Sequence, residues 1–198
     1  MREKVNAVIL STLNYKESDK IYILFTKEKG IISTIAKGVR KINSRRASSL
    51  DTLNVIKASL EYSNNYYFIE DVVLVESFNI VKKSILFSSF AYFILEATKN
   101  IIPEHTVSEK TYQNLIKTLI KLDSKPSKRD VYKYLKNLLI DSGFWDYDNA
   151  AFFPYLTYID SEGSVLTSDQ NLIDKFFILK IEEIGEKKLI SQLILSKL

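Results

Sequence analysis

A run of cationic side chains between residues 29 and 50 is the strongest candidate for binding chemistry in this sequence. It contains no aspartate or glutamate, and its cations are Lys29, Lys37, Arg40, Lys41, Arg45 and Arg46. Lysine and arginine side chains bind phosphate groups, and here no nearby carboxylate in the sequence competes for them. Gly38 permits a sharp turn, while Asn43 and Ser44 favour a solvated loop. The pattern predicts a basic loop that contacts nucleic acid; a solvated loop without a ligand is the alternative.

Charge is distributed unevenly along the chain. Residues 1–50 carry a net charge of +7 and residues 81–140 carry +6, whereas residues 51–80 carry −4 and residues 141–198 carry −5. The overall charge of +4 therefore hides two basic zones, each of which can present a positive surface to an anionic partner.

Composition and motifs argue against an enzyme. The absence of cysteine excludes disulfides, thiol catalysis and cysteine-bound zinc, and it fits a reducing cytoplasm. The single histidine, His105, has no acid–base partner implied by the sequence, and glycine-rich phosphate loops are absent. No apolar run is long enough to span a bilayer. We expect a cytoplasmic protein without enzymatic activity, cofactor, metal or membrane contact.

Residues 4–75 have the alternation and β-branched runs of strands. The runs are 5–13, 21–25, 31–35, 53–62 and 66–75. Five short strands in so short a segment predict a small barrel such as an OB-fold, because a flat sheet of this size would leave its edges open. Five aromatic residues in these runs either stack on unpaired bases or fill the barrel: Tyr22, Tyr62, Tyr66, Tyr67 and Phe68.

Helical periodicity replaces this pattern after residue 78. It predicts helices at 79–102, 108–122 and 127–143, two shorter helices near 170–184 and 186–195, and a hairpin around 152–168. We therefore predict an α+β protein with an OB-fold domain over residues 1–78 and a mainly helical domain, including the hairpin, over residues 79–198.

Several short segments carry a family resemblance through their order and spacing: AVIL (7–10), YKESDKI (15–21), FTKEKG (25–30), AKGVRK (36–41), SR (44–45) and VESF (75–78). Together they resemble the RecO family of recombination mediators. The resemblance implies an N-terminal OB-fold, a helical domain and no enzymatic activity. It implies binding to single- and double-stranded DNA and annealing of strands coated by single-strand-binding protein (SSB). It also implies action with RecR to help load RecA, and hence association with the nucleoid.

The basic run and the charged face of the third predicted helix supply candidate residues for these expected contacts. We expect DNA contacts at six cations: Lys20, Lys37, Arg40, Lys41, Arg45 and Arg46. We expect the acidic C-terminal tail of SSB to bind helix 127–143 through cations and an exposed tyrosine: Arg129, Tyr132, Lys133 and Lys136. A solvated lysine face is the alternative for that helix.

Many family members carry a four-cysteine zinc ribbon beyond residue 143. Ala150, Phe153, Thr167 and Gln170 stand at those positions here, so the predicted hairpin is metal-free. Two other functions remain open. One is an RNA-binding OB-fold module of the translation apparatus, and the other is a non-enzymatic protein adaptor.

Overall fold

The computed structural model describes residues 2–125, 127–145 and 170–190. Within these ranges, strands are followed by helices: β1 Arg2–Tyr15, β2 Asp19–Thr26, β3 Gly30–Ala36, β4 Val55–Ser63, β5 Tyr66–Glu76, α1 Asn79–Lys83, α2 Ile85–Ile101, α3 Glu109–Ser124, α4 Lys128–Asp141 and α5 Gln170–Gly185. The predicted α+β class is confirmed, whereas the predicted hairpin around 152–168 lies outside the described residues.

The five strands close into a barrel in the order β1-β2-β3-β5-β4. This is the strand order of an OB-fold, so the predicted barrel is confirmed. β1 is long enough to pair with β4 through its first half and with β2 through its second half, and an irregularity between Ile9 and Ser11 bends it between the two partners. Alternate side chains fill the interior, among them Tyr22, Leu24 and Ile56.

The seam that closes the barrel is short. β3 and β5 run parallel and pair only at Thr34 with Tyr67 and at Ile35 with Phe68. A segment from further along the chain, residues 103–112, forms one compact unit with residues 1–78. We call residues 103–112 the strap. A boundary drawn only at residue 78 would separate the strap from the barrel that it contacts.

The strap supplies hydrogen bonds to the first half of β3, which β5 does not reach. Ile31 forms a parallel bridge with Glu104, and the N–H of His105 donates to the carbonyl of Ile31 at 2.9 Å. Further along, Lys27 pairs with Glu109 at 2.9 Å, and the ring of Tyr112 meets Phe25 edge-on, with centroids 5.6 Å apart. Because Tyr112 is buried, its pKa is raised to about 12.

Residues 79–102 and 113–190, as far as they are described, belong to the second unit. The single helix predicted over 79–102 is wrong in one respect, since Ser84 is extended and its hydroxyl accepts the N–H of Phe87 as the N-cap of α2. The carboxylate of Asp123 accepts the N–H groups of Ile80 and Val81, both at 2.9 Å, and so caps the short α1.

The later helices agree with the sequence in part. Ser127 caps α4 as predicted, because its side chain accepts the N–H of Arg129. The helix predicted from residue 186 is wrong over 186–190, where Glu186 has a φ of +51° and the backbone is not helical. Of the helices that the structure describes, none is both long and apolar enough to cross a membrane.

The backbone of the strap packs directly against Gly30. The φ of Gly30 is +69°, and a Cβ there would lie 2.2 Å from the carbonyl oxygen of Thr106. We predict that Gly30→Ala lowers the free energy of unfolding by about 2–4 kcal/mol, because left-handed strain adds to a backbone clash.

Gly38→Ala is the matched control in the same barrel. Its φ is +67°, but a Cβ there would meet nothing closer than 3.8 Å. We expect it to cost only about 1 kcal/mol. Equal losses for the two variants in urea unfolding would show that the strap does not lie against Gly30.

Candidate nucleic-acid interface

The predicted basic loop follows β3 directly. We use this name for residues 37–46, a succession of turns whose two ends are held by hydrogen bonds to other parts of the barrel. A loop anchored in this way presents its cations from a defined place, which reduces the entropy lost when it binds a ligand.

Arg46 anchors the end of the basic loop. Its guanidinium donates to the carbonyl of Lys37 at 2.7 Å, to that of Glu70 at 3.3 Å, and to that of Ile69. Because Ile35 pairs with Phe68, these carbonyls lie just beyond the end of the β3–β5 seam, and the arginine continues the seam with a side chain. Arg46 is therefore a positioning residue for the loop, and its contact with DNA stays a prediction.

The start of the basic loop is held by the β1–β2 turn. Asp19 accepts the N–H of Gly38 at 2.8 Å, the N–H of Arg40 donates to the carbonyl of Ser18 at 2.9 Å, and the Arg40 guanidinium donates to the carbonyl of Lys16 at 3.1 Å. The hydrogen bond from Gly38 holds the pKa of the Asp19 carboxyl below its usual value. The stabilisation from the Asp19–Gly38 hydrogen bond is therefore fully present above the ordinary carboxyl pKa. It is lost as the pH falls through the lowered pKa of Asp19.

Four cations of the basic loop are exposed: Lys37, Arg40, Lys41 and Arg45. The ammonium of Lys37 lies 4.2 Å from the ring centroid of Phe68, within cation–π range. Among the described residues, no carboxylate pairs with Lys41 or Arg45. The sixth predicted contact, Lys20, is half-buried on β2 opposite Ala36. The structure thus gathers most of the predicted cations on one loop and leaves Lys20 on strand β2.

The aromatic candidates divide between core and surface. Tyr22 is 1% exposed in the barrel core, and burial raises the pKa of its hydroxyl to about 12, so its interpretation as a stacking residue is wrong. Tyr62 and Tyr66 are exposed, and the ring centroids of Tyr62 and Tyr67 lie 4.9 Å apart. Alternation explains this division, because the side chain at position 22 of β2 points into the barrel.

The predicted tail-binding face of α4 is wrong for two of its four residues. Tyr132 is 1% exposed, stacks on Phe177 with centroids 5.7 Å apart, and donates its hydroxyl to Asp174 at 2.7 Å. Lys136 is 2% exposed, with its ammonium 5.6 Å from the ring centroid of Trp145. Helical spacing puts positions 132 and 136 on one stripe, and here that stripe is packed against the protein.

The other two residues of that prediction, Arg129 and Lys133, are exposed. Lys133 lines a groove of about 360 Å³ between α3 and α4, together with Lys117, Lys121, Ile120 and Asp130. Asp130 pairs with Lys121 at 3.6 Å, and Ile120 is 52% exposed. Sequence analysis missed this groove, although the spacing of Lys117 and Lys121 by one helical turn was visible in the sequence.

Over the ranges that the structure describes, no group of three acidic or histidine side chains lies close enough together to hold a metal ion. The basic loop, with its four exposed cations, is the candidate binding site on the barrel. Its exposed lysine and arginine side chains are positively charged hydrogen-bond donors, which suits them to phosphate and carboxylate ligands.

Known proteins resemble this chain most clearly in the barrel. Residues 1–78 match the family model described as Recombination protein O N terminal. The chain belongs to the RecO family through this N-terminal domain. The match covers all five strands and the whole basic loop, and it ends before α1.

Individual relatives extend the similarity into the helices. The DNA repair protein RecO of Thermoanaerobacter sp. (strain X514) is 32% identical over 120 residues, covering 61% of this chain and 48% of the relative. That of Dehalococcoides mccartyi (strain CBDB1) is 30% identical over 142 residues, covering 71% of this chain and 56% of the relative. The chain thus spans about half the length of the curated relatives it matches.

The anchoring of this RecO-type loop can be tested through stability. We predict that Arg46→Ala lowers the free energy of unfolding by about 1–2 kcal/mol, because a charged donor to three carbonyls is lost from a partly exposed site. Arg45→Ala, which removes an exposed neighbour, should change it by less than about 0.5 kcal/mol. Urea unfolding measures both, and an Arg46→Ala midpoint equal to that of the parent would contradict the anchoring.

Proposed function

We propose that this RecO family chain is a recombination mediator in DNA repair that binds single- and double-stranded DNA through its basic loop. The observation that carries the proposal is the anchored loop itself, which presents Lys37, Arg40, Lys41 and Arg45 to solvent. Its place inside a domain that matches the RecO family supports the assignment, as does the name DNA repair protein RecO borne by the relatives.

The proposed mechanism is physical and involves no chemical step. Two DNA strands repel each other through their phosphates, and a cationic surface that contacts both lowers this repulsion, so that complementary strands stay close enough to pair. Phosphate contacts position a strand without reading its sequence, which suits a protein that must anneal any pair of strands. We therefore propose that the protein acts as a non-enzymatic mediator that anneals SSB-coated strands and helps RecR to load RecA.

The two alternative functions make different demands on the basic loop. A pure protein adaptor would not require DNA affinity that falls steeply with salt. An RNA-binding module of the translation apparatus would use the same barrel, and the family match favours DNA repair over it. Annealing of complementary DNA strands coated with SSB, with and without this protein, separates the alternatives: faster annealing supports the mediator, and unchanged annealing contradicts it.

The loop contacts can be measured by charge reversal. We predict that Lys41→Glu with Arg45→Glu weakens binding to every DNA sequence and lowers the slope of log affinity against log salt by about two, because two phosphate contacts are lost. DNA binding by fluorescence anisotropy over a salt series gives both quantities.

The matched control reverses two exposed lysines elsewhere on the barrel, Lys4→Glu with Lys57→Glu. The change in net charge is identical, so a general loss of attraction for DNA would affect both variants equally. If the two variants have the same affinity and slope, the basic loop is not the DNA contact.

A second part of the proposal concerns the SSB tail. An acidic peptide that ends in an apolar residue and a free carboxylate needs cations beside an apolar surface. The groove between α3 and α4 combines Lys117 and Lys133 with the exposed side chain of Ile120. We therefore propose that the tail binds in this groove, next to the predicted Arg129, and that it does not contact Tyr132 or Lys136.

Calorimetry with a synthetic tail peptide tests the groove. Lys117→Ala with Lys133→Ala should weaken binding by about tenfold or more, since each charge-assisted hydrogen bond contributes on the order of 1 kcal/mol. Lys187→Ala with Lys188→Ala removes two other exposed lysines and should leave the affinity unchanged. Equal affinities for the two double variants would place the tail on another surface.

A further inference from the structure

The second half of β5 has a strand on only one side. β3 pairs with two residues of β5, the second of them Phe68, and then ends at Ala36. On the other side, β5 continues to pair with β4 as far as Glu76. Beyond the seam, β5 is therefore paired with β4 alone, among the strands that the structure describes.

Arg46 occupies only the beginning of this unpaired side, where its guanidinium donates to the carbonyls of Ile69 and Glu70. We call the following residues, 71–76, the open edge. Within the described parts of the chain, the backbone hydrogen bonds of the open edge are those of the β4 ladder. Since a strand directs its N–H and C=O groups to both sides, the open edge still has donors and acceptors for a further strand.

The open edge is apolar at its centre and acidic at its ends. Val73, Leu74 and Val75 are 58%, 41% and 53% exposed, and Asp71 and Glu76 are exposed as well. Lysine and proline are two of the residues by which proteins protect exposed strand edges, and neither occurs in this segment. The segment therefore offers both main-chain groups and apolar side chains to a partner.

Charge narrows the choice of partner. Residues 51–80 carry a net charge of −4, which makes this part of the barrel unfavourable for phosphate. A second copy of the chain is also unfavourable. Antiparallel pairing of the two apolar centres would place Asp71 of one copy opposite Glu76 of the other, and like charges in that position are destabilising. The cation Lys57, which pairs with Val73, lies on β4, one strand further from the open edge.

We propose that the open edge binds an extended segment of a partner protein that is apolar in the middle and carries a cation at each end. The segment adds a strand beside β5, beyond the end of β3, and six residues of it cover about 20 Å. Main-chain hydrogen bonds supply affinity, and pairing of the two cations with Asp71 and Glu76 supplies specificity. This surface needs no DNA, so the inference is independent of the proposed function.

The experiment uses the intact chain and a fluorescent hexapeptide, Lys-Val-Thr-Val-Thr-Lys, with both ends capped. Fluorescence anisotropy measures its affinity without DNA. Two further peptides carry N-methyl groups on either the odd or the even residues. An added strand turns only one of these sets of N–H groups toward β5. We therefore expect one methylated peptide to lose affinity at least tenfold and the other to retain it.

Charge reversal shows where the peptide binds. Asp71→Lys with Glu76→Lys should weaken binding of the unmethylated peptide about tenfold, because two attractive cross-strand pairs become repulsive. Glu17→Lys with Glu104→Lys is the matched control, since it reverses two exposed carboxylates elsewhere in the same unit and changes the net charge equally. We expect the control to keep the affinity within about twofold of the parent.

Three results overturn the inference: no binding of the peptide by the parent, equal affinities for the two methylated peptides, or equal losses in the two charge variants. If the Asp71 and Glu76 variant does not fold, the methylated peptides decide with the parent alone. Analytical ultracentrifugation tests the second copy as occupant. Dimers of the parent that Val73→Lys abolishes would assign the open edge to self-association and overturn the proposed partner.

Discussion

The closure of the barrel between β3 and β5 is the constraint on which the rest of the N-terminal unit depends. Direct backbone pairing covers only two residue pairs of this seam. The strap completes it at the start of β3 through Glu104 and His105, and the Arg46 guanidinium continues it past the end of β3 by joining Lys37 to the backbone of β5. The same closure that satisfies backbone groups therefore also fixes where the basic loop begins and ends.

This arrangement places exposed cations beside the β3–β5 seam, where the Lys37 ammonium lies over the ring of Phe68. The cations of the loop offer attraction for phosphate that depends on salt and is indifferent to sequence. Phosphate contacts of this kind position a strand without reading its bases.

In the helical unit, packing determines which charged side chains of α4 are exposed. On α4, Tyr132 and Lys128 both contact Asp174 of α5, so a stripe that contains a lysine becomes an internal contact. The exposed cation Lys133 lies one residue further round the helix and faces the groove with α3. The packing of α4 therefore decides which of its lysines stay in contact with solvent.

Local features were determined by the sequence alone. Alternation located all five strands, helical periodicity and the Ser127 cap located α4, and the acid-free run located the basic loop, because these patterns depend on near neighbours. The continuous apolar run of β2 from Ile21 to Phe25 was also visible, and it reflects a strand that is apolar on both faces.

The tertiary structure decided which residues of each local pattern are buried, which are exposed and which anchor other segments. It buried Tyr22 and left Tyr66 exposed, turned Arg46 inward and Arg45 outward, and placed the strap against Gly30. The partners responsible lie far along the chain, as with Arg46 and Ile69 or Tyr132 and Asp174. Only folding brings such pairs into contact, so no periodicity within a strand or helix could have indicated them.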